Sequence, residues 1–123
     1  MSKGKHRSTL EIQKMKYQKD YLKWKKVACP ALKTDVEFTN LGLMHITKTT
    51  RSLPEKITRL KLLSLAKHII ESSDFYQGRR LQNYHEHYVF EAIINRRKIR
   101  VLVREDKKHY YFYSVFYISD FVG

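Results

Sequence analysis

From Ser8 the chain runs STLEIQKMKYQKDYLKWKK, in which Leu10, Tyr17, Tyr21 and Trp24 return at spacings of seven, four and three and so line one side of a helix. Ser8 with Glu11 three residues on is the reciprocal cap that closes a helix N-terminus, and Pro30 stops the helix. The stretch is predicted as a basic amphipathic helix. In DVEFT, Asp35 to Thr39, polar and apolar residues alternate with the period of two that a strand requires, after which Asn40 caps a short helix over Leu41–Ile46. Ser52, Pro54 and Glu55 mark a further helix start, a capping box with proline in the first turn. The predicted helix extends from Leu53 to Glu71, with Ile57, Leu60, Leu63, Ala66 and Ile70 on the buried stripe and Lys56, Arg59, Lys67 and Glu71 toward water. SSDFYQGRR, residues 72–80, reads as a loop.

The last third changes period. HYVFEAII, KIRVLVR and YYFYSVFYI are β-rich runs joined by Asn95-Arg96-Arg97 and by EDKKH, and Ile99, Val101 and Val103 alternate with Arg100, Leu102 and Arg104. Short turns between such runs predict an antiparallel meander. Helices first and sheet afterwards make the fold α+β, with the helices packed on one face of the sheet.

Charge changes the picture. The 123 residues carry 25 Lys and Arg against 12 Asp and Glu, a formal charge of +13 that costs stability through self-repulsion and calls for a polyanion. Nucleic acid is the commonest such partner; an anionic membrane surface and a small acidic protein are the others. Residues 1–30 hold nine of the Lys and Arg and two of the acids, so they read as a basic helical arm, with residues 31–123 as the domain proper. The arm is a helix packed on the body by its aromatics, a grip on nucleic acid, or a helix lying on a membrane surface. Cys29 has no second cysteine to pair with and the start lacks a secretory pattern, so a cytoplasmic, reducing setting is expected. No apolar run nears the roughly 18 residues of a membrane span, and no membrane insertion is expected.

Several chemistries drop out. The four glycines are scattered and build no phosphate loop, and the lone Cys29 excludes a zinc ribbon. His85 and His87 share a strand face at a usable metal spacing, but a third ligand such as His109 or His45 is not visible, and no metal or other cofactor is expected. Glu37, Glu86, Glu91 and Asp120 are too dispersed for two-metal hydrolysis, and Ser114 has no nucleophile-elbow context. Metal-free chemistry on an anion stays open. RNA can be cleaved this way, because its ribose 2′-hydroxyl is the nucleophile and needs only proton transfer at both ends and a cation on the phosphate. His45 and Arg51 sit at the start of the long helix, whose free N–H groups and positive dipole end favour an anion.

The order of parts from Asp35 to Ile118, with LMHI, Arg51 six residues beyond the His, PEKITRLKLLSLAKHIIESSDFY, and KIRVLVREDKKHYYFYSVF at the end, resembles the barnase, EndoU, colicin and RelE (BECR) group of RNases. The likeness is strongest to its phage- and mobile-element-borne branch and to toxin tips delivered by cell contact. It implies a BECR-like domain and a metal-independent RNase toxin whose partners are RNA and an acidic antitoxin or immunity protein. It also implies roles: His45 as general acid or base, Arg51 as the phosphate-binding arginine, Arg104 as the strand cation and Ser114 as a hydroxyl orienting phosphate. Lys48, Arg59, Lys107 and Lys108 would hold the RNA backbone, and Tyr113 and Tyr117 would meet bases. One departure is visible: by alternation Ser114 shares a face with Phe112 and Phe116, which suits a core, while Tyr113 and Tyr117 point the other way. A non-catalytic nucleic-acid binder and a module for an acidic partner are the competing readings.

Overall fold

The computed structural model describes residues 8–118. The basic residues Lys3, Lys5 and Arg7 of the expected arm, together with Asp120, lie outside them. Helix α1, Thr9–Trp24, begins with the expected cap: Ser8 Oγ accepts from the Glu11 N–H and the Glu11 carboxylate accepts from the Ser8 N–H, both at 3.1 Å. It ends six residues before Pro30, where Lys25 takes φ 55° and turns the chain into strand β1, Lys26–Cys29. Pro30 falls in the turn to β2, Thr34–Glu37, which starts one residue before the expected strand and stops at Glu37. Strand β1 escaped prediction because it is only four residues long and the run Val27-Ala28-Cys29 shows no alternation, although Val27 and Cys29 are buried.

Helix α2, Asn40–Ile46, is capped by Thr39 rather than Asn40, and without a side-chain bond. The long helix divides into α3, Leu53–Lys61, and α4, Leu63–Ser72. Leu60, Leu62 and Leu63 explain the break: each is at most 3% exposed, yet on one unbroken helix positions 60 and 62 would point about 200° apart. The cap on α3 is also half of the expected box. Ser52 Oγ accepts from the Glu55 N–H at 3.2 Å, but the Glu55 carboxylate turns to two arginines instead.

Four strands then form the meander: β3 Gly78–Gln82, β4 His85–Ile94, β5 Arg97–Asp106 and β6 His109–Tyr117. Strand β3 replaces part of the expected loop; as an edge strand with four exposed residues it has no apolar alternation to read. Its turn to β4, Asn83-Tyr84, and the turns Asn95-Arg96 and Lys107-Lys108 each place two residues at positive φ, the left-handed turn form that matches strand twist. The sheet order is β1-β2-β6-β5-β4-β3, antiparallel except where β2 meets β6 in parallel. The fold is thus α+β, with four helices and a six-stranded, mostly antiparallel sheet among the described residues.

Phe90, Val101, Val103, Phe112 and Val115 line the core face of the sheet, and Leu60, Leu63, Ala66 and Ile70 pack in the same core. Tyr21 of α1 is fully buried there, edge-on to Phe38 and Phe112, and donates from its hydroxyl to the Thr39 carbonyl at 2.5 Å. The basic helix is therefore packed on the body by its aromatics, one of the roles its sequence allowed.

Two details place the site. A side chain at Gly42 would put its Cβ 2.5 Å from the Phe112 carbonyl oxygen, so glycine lets α2 lie directly on β6. On β6 a bulge intervenes: Leu102 faces Ser114 and Val103 faces Phe112, leaving Tyr113 unopposed. The bulge carries Ser114 off the Phe112 face, correcting the simple alternation, and it separates Tyr113 from Tyr117. Gly42→Ala should cost about 2–3 kcal/mol, because the nearest obstacle is backbone, and urea unfolding would measure the loss.

Candidate active site

His45 lies in the last turn of α2, and Arg51 precedes the Ser52 cap of α3. The connecting turn folds back so that Arg51 Nε donates to the His45 carbonyl at 3.2 Å and Arg51 Nη2 approaches His45 Nε2 at 3.1 Å. A guanidinium only donates, so Nε2 is the acceptor and the imidazole proton sits on Nδ1. The imidazole and guanidinium converge, as the spacing of the two residues suggested.

Glu55 anchors the next layer. Its Oε2 accepts from Arg51 Nη1 at 3.3 Å and from Arg59 Nε and Nη2 at 3.0 and 2.7 Å. Arg59 was expected to face water and is instead 8% exposed, with Nη1 donating to Ser114 Oγ at 2.8 Å and its guanidinium over the Phe116 ring. Ser114 is itself 1% exposed, so its hydroxyl holds an arginine rather than lining the surface. Burial and Arg51 both oppose the charge on Arg59, and the Glu55 carboxylate supports it.

The bulged Tyr113 joins this cluster to a second one. Its ring stacks on His45 with centroids 3.9 Å apart, lies 5.0 Å from the His87 ring, and has the Arg104 guanidinium 5.4 Å from its centre. Arg80, His87, Arg104 and Tyr111 are direct cross-strand partners on β3, β4, β5 and β6 and so share one face. His85 Nδ1 donates to the Asn83 carbonyl at 2.8 Å, which leaves Nε2 to accept from Arg104 Nη2 at 2.9 Å.

The field of these cations acts on both central imidazoles. Burial first, then Arg51, Lys48, Arg59 and His87, push the His45 pKa down to about 4. His87 is lowered by burial and by Arg104, His85 and Arg80, against the bond to the His85 carbonyl. At neutral pH both rings are uncharged proton acceptors among permanent cations.

Of the residues singled out in the sequence, His45, Arg51, Arg59, Arg104, Ser114 and Tyr113 come together. Lys48 is exposed on the α2–α3 connection, and Lys107 and Lys108 form the exposed β5–β6 turn. Tyr117 packs toward the core with Arg97 over its ring, away from Tyr113. Glu55 was read only as a cap, and His85 and His87 as a metal pair lacking a third ligand, as polar residues near a strand start, or as groups contacting phosphate. The alternation of His85 and His87 opposite a strand bearing Arg104 was the available signal for the second cluster. Among the described residues no three His, Cys, Asp or Glu side chains gather as a metal site, and His109 lies against Glu37 at 3.2 Å.

A cleft of about 430 Å³ lies elsewhere, at Lys26, Asp35, Glu37, Lys108 and His109, where Lys26 pairs with Asp35 and His109 with Glu37. The cleft of about 240 Å³ lined by Glu55, Thr58, Arg59, Phe116 and Tyr117 borders the cluster itself. No protein-family model, curated protein or solved structure matches this chain.

Two outcomes are expected. Glu55→Ala leaves Arg51 and Arg59 without their shared anion and should cost about 1–2 kcal/mol in urea unfolding, a value held down by water because Glu55 is 44% exposed. Stability should also fall as pH drops from about 6.5 to about 4, because the unfolded chain there binds a proton that folded His45 refuses, and should be fully present above 6.5. Thermal unfolding across that window reads the slope, and His45→Gln should make it shallower, leaving the share of His87.

Proposed function

We propose that this protein is a metal-independent RNA endonuclease of the BECR-like kind that the sequence resembles, cleaving by attack of the ribose 2′-hydroxyl to leave cyclic-phosphate ends. The observation that carries the reading is the contact between a neutral imidazole and a guanidinium, His45 Nε2 and Arg51 Nη2 at 3.1 Å. Neither partner gains much from the other, since one is uncharged and the other has a carboxylate of its own. A phosphate oxygen is the better partner for Arg51, being charged and matched to its fork of donors.

When a phosphodiester takes Arg51, the lone pair of His45 Nε2 is released within reach of the same phosphate. The incoming negative charge offsets Arg51, Lys48 and Arg59, which raises the imidazole pKa toward its ordinary value and lets His45 carry one of the two proton transfers. Arg51 supplies charge that matches the phosphorane as it forms. Arg104, across the Tyr113 ring, adds a second fixed cation, and Arg59 and Ser114 act by holding Glu55 and the α3 start in place. The charge of +13 suits RNA as the substrate, and suits an acidic inhibitor protein as the partner such a toxin would need.

Purified protein incubated with total RNA in excess EDTA should yield fragments ending in cyclic phosphate. His45→Ala should slow cleavage about 100-fold or more while RNA still binds, and Arg51→Ala should weaken both. Intact RNA together with tight, salt-sensitive binding would instead identify a non-catalytic nucleic-acid binder.

A further inference from the structure

His87 is 2% exposed, and its Nδ1 donates to the His85 carbonyl at 3.1 Å. That bond fixes the tautomer: the proton is on Nδ1, and Nε2 carries a bare lone pair. Nε2 is buried and has no hydrogen-bond partner among the described residues. A buried acceptor left unpaired costs on the order of 1–3 kcal/mol, and this one lies near the His45 and Arg51 pair, the Tyr113 ring touching both imidazoles.

The chemistry of the lone pair selects its partner. A phosphate oxygen has no proton to offer at neutral pH and would be repelled. A hydroxyl or amide N–H would be held. Arg104, opposite His87 on β5, and Arg80, opposite it on β3, place fixed positive charge on either side, so a donor attached to an anion is favoured over a neutral one. In a ribonucleotide the donor adjacent to the phosphate is the 2′-hydroxyl. The lone pair of His45 is already engaged by Arg51 and that of His85 by Arg104, whereas that of His87 is not.

We infer that His87 Nε2 is a subsite for a ribose 2′-hydroxyl, reached when the Tyr113 ring turns aside, and that it is where this protein tells ribose from deoxyribose. The inference rests on the ribonuclease reading for its choice of ligand. Tyr113 is suited to the movement because it is the unopposed residue of the β6 bulge and is partly exposed. The subsite also divides the labour: His87 meets the hydroxyl side of the phosphodiester, and His45 with Arg51 meets the phosphate and its leaving side.

The probes are nucleoside 3′-monophosphates in ribo and 2′-deoxyribo form, neither of which requires catalysis to bind. Wild-type protein should bind the ribo form about tenfold more tightly, the contribution of one hydrogen bond to a buried acceptor. His87→Phe, which fills the space without an acceptor, should bind both forms equally. His87→Gln, which can present an amide oxygen, should keep most of the preference. Should either variant fold poorly, the ¹⁵N shift of His87 Nε2 in the wild-type protein serves alone: it should move on adding the ribo probe and not the deoxy probe. Absence of binding, equal affinities in the wild type, or a preference that survives His87→Phe overturns the subsite. If RNA is left intact in EDTA but the ribo preference depends on His87, the cleavage reading fails and the subsite stands.

Discussion

The close approach of α2 to β6 at Gly42 is the constraint on which the site depends. A Cβ there would come within 3 Å of the Phe112 carbonyl oxygen, the Phe112 ring and the Tyr21 hydroxyl. With no side chain at that position, the helix settles onto the strand, Leu43 and Ile46 enter the core, and His45, one residue before Ile46, is left facing the strand's other character, the bulged Tyr113. Tyr21 secures the same junction by donating to the carbonyl of Thr39, the residue that caps α2. Three elements distant in sequence therefore meet at one glycine, and the imidazole's position follows from their packing.

Electrostatics then decides what the junction favours. Arg51, Arg59 and Arg104 converge near two uncharged imidazoles, while Glu55 is the carboxylate shared by the first two. One acid cannot neutralise that set, and burial first, then the surrounding cations, lower the pKa of both histidines. The bulge on β6 contributes by bringing Tyr113 and Ser114 to the face of His87 and Arg104 instead of the core face of Phe112. Uninterrupted pairing would have put one of them into the hydrophobic core.

What could be read in the sequence was whatever a local pattern specifies. The Ser8–Glu11 cap, the aromatic stripe of α1, the β-rich runs of β4, β5 and β6 and the alternation within β5 are local, and they point to α+β with a meander. The edge strand β3 was not readable, because pairing to β4 rather than burial defines it. Nor was the break at Leu62, where three leucines compete for one core and tertiary packing outweighs helical continuity. In the site, His45 and Arg51 were found because a short turn joins them. Arg59 was misplaced on the solvent face because its partner Ser114 lies 55 residues away and only the bulge turns that hydroxyl toward it. His87 was visible as half of a pair but not as a buried group, since its burial comes from Tyr113 and its neighbours across the sheet.

The same physics links stability to binding. Burial of Arg59 and of the two imidazoles is tolerated because Glu55 and a few backbone carbonyls satisfy most of their donors, yet Nε2 of His87 and much of the positive charge are left without a counterpart among the described residues. A ligand carrying both an oxyanion and a neighbouring hydroxyl would relieve the charge at Arg51 and the orphaned lone pair together. Its binding energy would then include the release of a cost that folding has already incurred. An anion alone recovers part of that energy and a sugar alone recovers less, so the arrangement discriminates by chemistry on two adjacent atoms rather than by the area it covers.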